Sequence, residues 1–254
     1  MTPLLQLDNV TKRFGGLIAV HDLSLQVEQG AIVSLIGPNG AGKSTVFNLI
    51  TGIYAPTSGS IEFNGRQLNG LRPDLVAAAG AMRTFQNIRL FAFMSVLENV
   101  MVGRHVRMHA TAFDGALRTP RAVREEQAVT DRAMELLEYV GLTQYASEWA
   151  RNLPHGMQRR LEIARALAAD PTLLLLDEPA AGTNPAEKQQ LMSLVESIRA
   201  RGVTVLLIEH DMKLVMGISD YIHVLDHGDK ISEGRPEQVR HDPRVIEAYL
   251  GKGA

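Results

Sequence analysis

Nine residues, Gly37-Pro38-Asn39-Gly40-Ala41-Gly42-Lys43-Ser44-Thr45, restrict what this chain can fold into more than any other stretch. Before them lies an apolar run, Ala31-Ile32-Val33-Ser34-Leu35-Ile36, that reads as a strand; after them Val46, Leu49 and Ile50 carry helical spacing. The glycines let the main chain curl tightly enough to aim several N–H groups at one point. The spacing fits G-x-x-x-x-G-K-[ST], a loop that cradles a polyphosphate and feeds into a helix whose dipole adds a positive end. In such a cradle Lys43 reaches the outer phosphates and Ser44 offers its hydroxyl to Mg²⁺. Gly37, Asn39, Gly40, Ala41, Gly42 and Thr45 supply the rest, so a nucleoside triphosphate is the expected ligand.

Bulk properties narrow the setting. A chain of 254 residues supports one large domain or two closely joined ones. Its formal charge of −2 gives no general reason to expect a nucleic-acid partner. Cysteine is absent, which excludes disulfides, thiolate metal sites and thiol catalysis. The first residues lack a basic head and a long apolar stretch, so no signal peptide is expected. The purest apolar run, Leu173 to Leu176, is far short of the roughly 20 residues that span a bilayer. A cytoplasmic protein is expected, docking on a separate membrane protein if it serves a membrane process.

The pattern changes along the chain. Leu5 to Val10, Leu23 to Val27 and Ser60 to Phe63 alternate apolar and polar, as half-buried antiparallel strands do, with a turn at Asn64-Gly65. Leu173 to Leu176 and Val203 to Ile208 are continuous apolar strands of a parallel sheet covered on both faces, and Pro185 to Ala200 between them reads as a helix. Strand–helix–strand order of this kind gives an α/β core. Helical periodicity dominates from about 88 to 168, with Met134, Leu136, Leu137, Val140 and Leu142 in one stretch and Leu161, Ala164, Leu167 and Ala168 in another. This region reads as a helical subdomain inserted into the sheet domain. Within it, Gly103 to Arg124 carries Arg104, His105, Arg107, His109, Arg118 and Arg121 and reads as a solvated arm. Arg244 to Leu250 reads as a short amphipathic helix.

Four features add chemistry. Asp177 and Glu178 stand where an apolar strand emerges at its C-terminal end, the ligand edge of an α/β sheet. Asp177 suits Mg²⁺, and Glu178 suits a general base that polarises the attacking water. His210, after Val205 to Ile208, is placed to bond a γ-phosphate and sense its loss. Gln86 ends the strand-like Met82-Arg83-Thr84-Phe85, where it can contact Mg²⁺ and the attacking water and act as a hinge. Finally, Leu153-Pro154-His155-Gly156-Met157 turns into a strong helix, with Gly156 leaving N–H groups open to an anion.

With these residues in hand, the chain resembles the ATPase subunit of ABC transporters along essentially its whole length. Gly37 to Thr45 is similar to the family's Walker A motif and Leu173 to Glu178 to Walker B. Gln86 resembles the Q-loop glutamine, His210 the switch histidine, and Leu153 to Met157 the signature segment. Phe14 sits where the family places an aromatic on adenine, with Val20 as further packing. The resemblance implies a P-loop NTPase of the ABC ATPase type. Residues 1–87 and 169–254 would form the RecA-like core with its antiparallel β subdomain, and 88–168 the helical subdomain.

Asp177 to Pro185, Ile208 to Asp220 and Pro236 to Gly251 resemble more closely the ATPases of branched-chain amino-acid (Leu/Ile/Val) importers. That resemblance implies ATP and Mg²⁺ as cofactors and a second ABC ATPase subunit facing this one head to tail, generally a different one. It also implies permease subunits on the cytoplasmic face of an inner membrane and, indirectly, a periplasmic amino-acid-binding protein. A groove after Gln86 would receive a permease helix, with Leu90, Phe91, Phe93 and Met94 as candidate contacts. The same chemistry would serve a lipopolysaccharide exporter or a urea or amide importer; an ATPase acting on nucleic acid is the more distant alternative. The family signature L-S-G-G-Q is altered here: Pro154 replaces serine, His155 the first glycine and Met157 the glutamine. His155 is the candidate replacement donor. Asn184 stands where many relatives carry aspartate, and Thr183 replaces a common leucine.

Overall fold

A computed structural model describes residues 3–108 and 119–250. Alternating side chains build the first sheet. Strands β1 (Leu5–Phe14) and β2 (Leu17–Val27) pair antiparallel with Leu5 opposite Val27 and Leu7 opposite Leu25. β4 (Ser58–Phe63) adds to the free side of β1 and turns into β5 (Arg66–Gln67) through Asn64 and Gly65, whose φ angles of 50° and 72° suit a tight hairpin. The strand order is β2-β1-β4-β5. β1 runs on past Val10 through register shifts between Leu7 and Val10, between Val10 and Lys12 and between Lys12 and Arg13. Such bulges break the period of two that sequence patterning detects.

The second sheet follows the order β10-β9-β3-β8-β7-β6. It comprises β3 (Ile32–Ile36), β6 (Ala81–Arg83), β7 (Leu173–Asp177), β8 (Thr204–Ile208), β9 (Tyr221–Asp226) and β10 (Asp229–Gly234). All neighbours are parallel except β9 and β10. Leucines of β7 divide between the faces: Leu174 and Leu176 pack with the helical region, Leu173 and Leu175 with the antiparallel sheet. A sheet covered on both faces is what an uninterrupted apolar strand requires.

Helices α1 (Lys43–Ile50), α2 (Pro73–Ala79), α3 (Val96–Arg104), α4 (Pro120–Tyr139) and α5 (His155–Leu167) precede β7. α6 (Pro185–Ala200), α7 (Met212–Ile218), α8 (Pro236–Arg240) and α9 (Pro243–Leu250) follow it. Val100 of α3, Leu136 of α4 and Leu161 of α5 share one core with Leu174, Leu176 and Leu207. The three helices are thereby fixed to the sheet by apolar burial worth about 1.5–3 kcal/mol per large side chain. Gly103 allows α3 to approach α5 closely, since a Cβ there would lie 2.0 Å from the Arg165 carbonyl oxygen.

The solvated arm expected from Gly103 onward needs correction at its start. Arg104 Nη1 donates to Ala168 O at 3.1 Å and pairs with Asp170, and Arg107 Nε donates to Ala169 O at 2.7 Å. The two guanidinium groups close the carbonyl end of α5, where cations are favoured by the helix dipole. Residues 109–118, which include His109 and Arg118, lie outside the described residues. Among the described residues no helix is long and apolar enough to cross a membrane.

Candidate functional site

The glycine loop leaves β3 and enters α1 as its residues dictate. Gly37 and Gly42 have φ of +149° and +103°. A Cβ at Gly37 would lie 2.0 Å from Leu225 O, and one at Gly42 2.4 Å from Ala19 O. Both positions therefore exclude any side chain. Gly40, at φ +82°, faces open space on a loop whose Asn39 and Gly40 are exposed. Ala41 is buried, with its carbonyl accepting the Gly228 N–H at 3.1 Å. Ser44, exposed, and Thr45 lie in the first turn of α1, which begins without a side-chain cap. An uncapped first turn keeps its N–H groups for another acceptor.

Lys43 is only 6% exposed, and its Nζ donates to Gly37 O at 2.7 Å and Pro38 O at 2.8 Å. Burial pushes its pKa down, against the carboxylates of Glu178 and Asp177, which act to raise it. A buried cation whose partners are loop carbonyls, at the uncapped start of a helix, fits a polyphosphate anion.

Asp177 ends β7 and Glu178 follows with φ +48°. A non-glycine residue in that region costs of order 1 kcal/mol and turns the chain sharply. The turn separates the two carboxylates. Asp177, 3% exposed, accepts from Arg83 Nη2 at 2.7 Å, while Arg83 Nη1 donates to Asn48 of α1 at 2.6 Å. The Arg83 guanidinium lies between the Phe47 and Phe85 rings, 5.3 and 5.1 Å from their centroids. Glu178 Oε2 accepts from Gln86 Nε2 at 2.7 Å, and its Oε1 lies 2.5 Å from His210 Nε2. An ionised carboxylate only accepts, so with Glu178 in that form the bond requires the proton on Nε2.

His210 is placed by its neighbours. Glu209, 3% exposed, accepts the Ala180 N–H at 2.7 Å and the His210 N–H at 3.0 Å, and burial raises its pKa. Asp211 caps α7 through the Lys213 and Leu214 N–H groups and pairs with Lys188 at 2.7 Å. A histidine held between a buried acceptor and a helix cap has little freedom to wander.

The remaining candidates divide. Phe14 is 40% exposed at the end of β1, edge-on to Tyr54 at 5.1 Å, with Lys12 Nζ 5.0 Å from its ring. Val20, by contrast, is fully buried in the core behind the phosphate loop, its Cγ2 near Gly42. It supports the loop from below and offers no face to an adenine, which corrects its expected place in the ligand pocket. Pro154 to Met157 open α5, whose N-terminus also lacks a side-chain cap. Their neighbours come from the loop after β7: His155 lies near Gly182, and a Cβ on Gly156 would meet Glu187 at 2.8 Å. Asn184 caps α6 in a capping box with Glu187, so asparagine serves a cap as aspartate would.

A crevice of about 470 Å³ opens beside the site, lined by Phe85, Phe91, Val102, Arg83, Glu162 and Arg165 among others. Phe91 thus belongs to it. Leu90 is partly buried against the core, Met94 is half-buried, and Phe93, 73% exposed, packs on Trp149 instead. Sequence reading missed Arg83, Glu209, Arg159 and Glu162. A charged residue inside or directly after an apolar strand is the signal that would have found the first two. Arg159 and Glu162 have the spacing of an ordinary surface pair, and nothing in the sequence marks them as buried.

Fold and site together define a P-loop nucleotide hydrolase. Residues 20–181 match the ABC transporter family, and residues 230–254 match the branched-chain amino acid ATP-binding cassette transporter family. The chain is 50% identical over 251 residues, 98% of each chain, to the high-affinity branched-chain amino acid transport ATP-binding protein LivG of Salmonella typhimurium. It superposes on an ATP-binding cassette of an ABC transporter solved in its ADP conformation with a TM-score of 0.86 at 32% identity, covering 99% and 100% of the two chains. A dimeric cassette bound to ADP and Pi in a post-hydrolysis state matches with a TM-score of 0.78 at 26% identity, covering 91% and 98%. The chain belongs to the ABC transporter family and is one of its nucleotide-binding ATPases.

Proposed function

We propose that the chain powers an importer of branched-chain or related amino acids as a peripheral subunit on the cytoplasmic face of the inner membrane. The reading of the cargo draws on the LivG similarity and on the match of residues 230–254. The observation that carries the chemistry is the convergence of Gln86 and His210 on Glu178, at the sheet edge beside Asp177.

ATP would lie along the Gly37–Thr45 loop, with Lys43 exchanging the Gly37 and Pro38 carbonyls for phosphate oxygens. Ser44, Asp177 and Gln86 are the groups that would hold Mg²⁺. When bound, the metal neutralises charge on the phosphate oxygens, and few protein oxygens are needed because phosphates complete its shell. Glu178 releases Gln86 or His210, accepts a proton from water, and leaves the oxygen to attack the γ-phosphorus. The bond to the bridging oxygen breaks and ADP departs. Phe14 supplies an aromatic face to the adenine.

In a head-to-tail pair, the uncapped start of α5 at Pro154–Met157 meets the γ-phosphate held by the facing ATPase subunit, with His155 in place of the usual serine. The γ-phosphate then joins the subunits, and its loss releases them. Residues 88–168 act as the helical subdomain against the sheet core of 1–87 and 169–254. The crevice around Phe91 takes a helix of a permease subunit, whose cargo arrives from a periplasmic binding protein. The test is the Glu178→Gln variant expressed with the neighbouring permease subunits. It should bind ATP, hold a stable ATPase pair and lose turnover by about a hundredfold or more. Full hydrolysis would remove Glu178 as base. Uptake of urea or release of lipopolysaccharide, without leucine uptake, by the wild-type complex would overturn the cargo.

A further inference from the structure

The buried pair Arg159–Glu162 lies outside the site, yet both side chains face its hinge. Arg159 is 2% exposed and Glu162 1%. Arg159 Nη1 donates to Phe85 O at 2.6 Å and to Glu162 Oε2 at 2.9 Å, and Nη2 donates to Gln86 O at 2.8 Å. Glu162 Oε1 accepts the Phe85 N–H at 3.4 Å and the Arg89 N–H at 3.3 Å. Arg165 adds a third charge, 3.9 Å from the same oxygen. Two adjacent residues of α5's buried face thereby hold the main chain of residues 85–89 from both its donor and its acceptor sides.

The geometry of the guanidinium shows what the pair is built for. A fork–fork bond to Glu162 would use two donors on one carboxylate. Arg159 instead spreads its terminal nitrogens over two successive loop carbonyls and leaves Nε without a partner. Burying both charges is a cost that an apolar pair would avoid. Apart from their contact with each other and with Arg165, the bonds they form in return run to the loop that carries Gln86.

We propose that Arg159 and Glu162 are positioning residues that lock the Gln86 loop to α5, so that displacement of Gln86 from Glu178 moves the start of α5 with it. This rests on the reading that Gln86 and Pro154–Met157 both serve nucleotide. It adds which atoms join them. Gln86 touches Glu178 through its side chain and Arg159 through its carbonyl. The start of α5 lies one helical turn from Arg159. Nucleotide entry at one end is therefore delivered to the other through charge-assisted bonds between buried groups, where they resist extension. Phe85 and Glu162 also line the crevice beside the site, so an occupant there presses on the same lock.

The chain holds one tryptophan, Trp149, just before the turn that leads into α5, and it reports on this segment without labelling. Wild-type full chain titrated with MgATP should show a saturable change in Trp149 emission. The paired replacement Arg159→Leu with Glu162→Leu removes both charges together. It should keep ATP affinity within about twofold, lose the Trp149 response, and hydrolyse at least about tenfold more slowly, since small misplacements far from the chemistry cost up to about a hundredfold. Arg159→Lys, which keeps the charge but not the fork, should fold normally and show the same loss in weaker form. It decides the matter if the double variant does not fold. A variant that binds ATP and retains both the wild-type emission change and turnover overturns the lock, as does a wild-type chain that binds ATP with no Trp149 response. Failure of the wild type to bind ATP at all would instead overturn the functional reading.

Discussion

Gln86 Nε2 donates to Glu178 Oε2 over 2.7 Å, tying the loop after β6 to the turn after β7. Those two positions sit on opposite sides of the helical region in sequence and side by side at the sheet edge. The bond occupies one carboxylate oxygen, and His210 faces the other. Each oxygen of Glu178 thus has one protein partner and keeps a further lone pair with which it can accept from water. In the mechanism proposed above, where Glu178 is the base, the position of the Gln86 loop would then bear on turnover.

Lys43→Ala removes a buried cation whose bonds run to Gly37 and Pro38. Nucleotide affinity, measured by calorimetry with MgATP, should fall by at least about tenfold because a charge-assisted contact is worth about 1.5–3 kcal/mol. Unchanged affinity would refute its place on the phosphates.

Arg83→Met leaves Asp177 buried without its cation. Breaking such a pair from one side costs about 3–5 kcal/mol, so the urea midpoint should drop sharply. Arg83→Lys should recover part of the loss, having lost the second bond to Asn48.

Asn184→Ala deletes the cap of α6 and one half of its capping box. Chemical denaturation should show a loss of about 1 kcal/mol, and Asn184→Asp should be close to neutral. A loss several times larger would mean the residue does more than close the helix.

Glu209 has its pKa raised by burial above the ordinary value of 4.5. The folded state then holds this proton to higher pH than the unfolded state does. Stability from the group is present below the unfolded value and is lost as pH rises through the window up to the folded value. Glu209→Gln cannot titrate. The midpoint difference between variant and wild type should therefore move in the variant's favour as pH increases from about 4. A difference that stays flat with pH would show that folding does not raise this pKa.

Local physics made much of this protein legible in its residues. The glycine loop was readable because only a side-chain-free backbone tolerates the carbonyls of Ala19 and Leu225 at that range. The parallel strands were readable because burial on both faces demands unbroken apolar runs, and Leu173 to Leu176 face two different cores. Asp177, Glu178 and His210 could be located from their strands alone. What needed the tertiary structure was every relation between distant segments. Val20 proved to be support for the loop, since depth is set by the sheet packed over it. Arg104 and Arg107 are half-buried because the carbonyls ending α5 lie within reach. The pairings of Arg83 with Asp177, and of Arg159 and Glu162 with residues 85–89, join stretches dozens of positions apart. Sequence spacing fixes which side chains share a strand or a helix face; only the packing of those elements decides which charge meets which carbonyl, because that distance is a property of three dimensions.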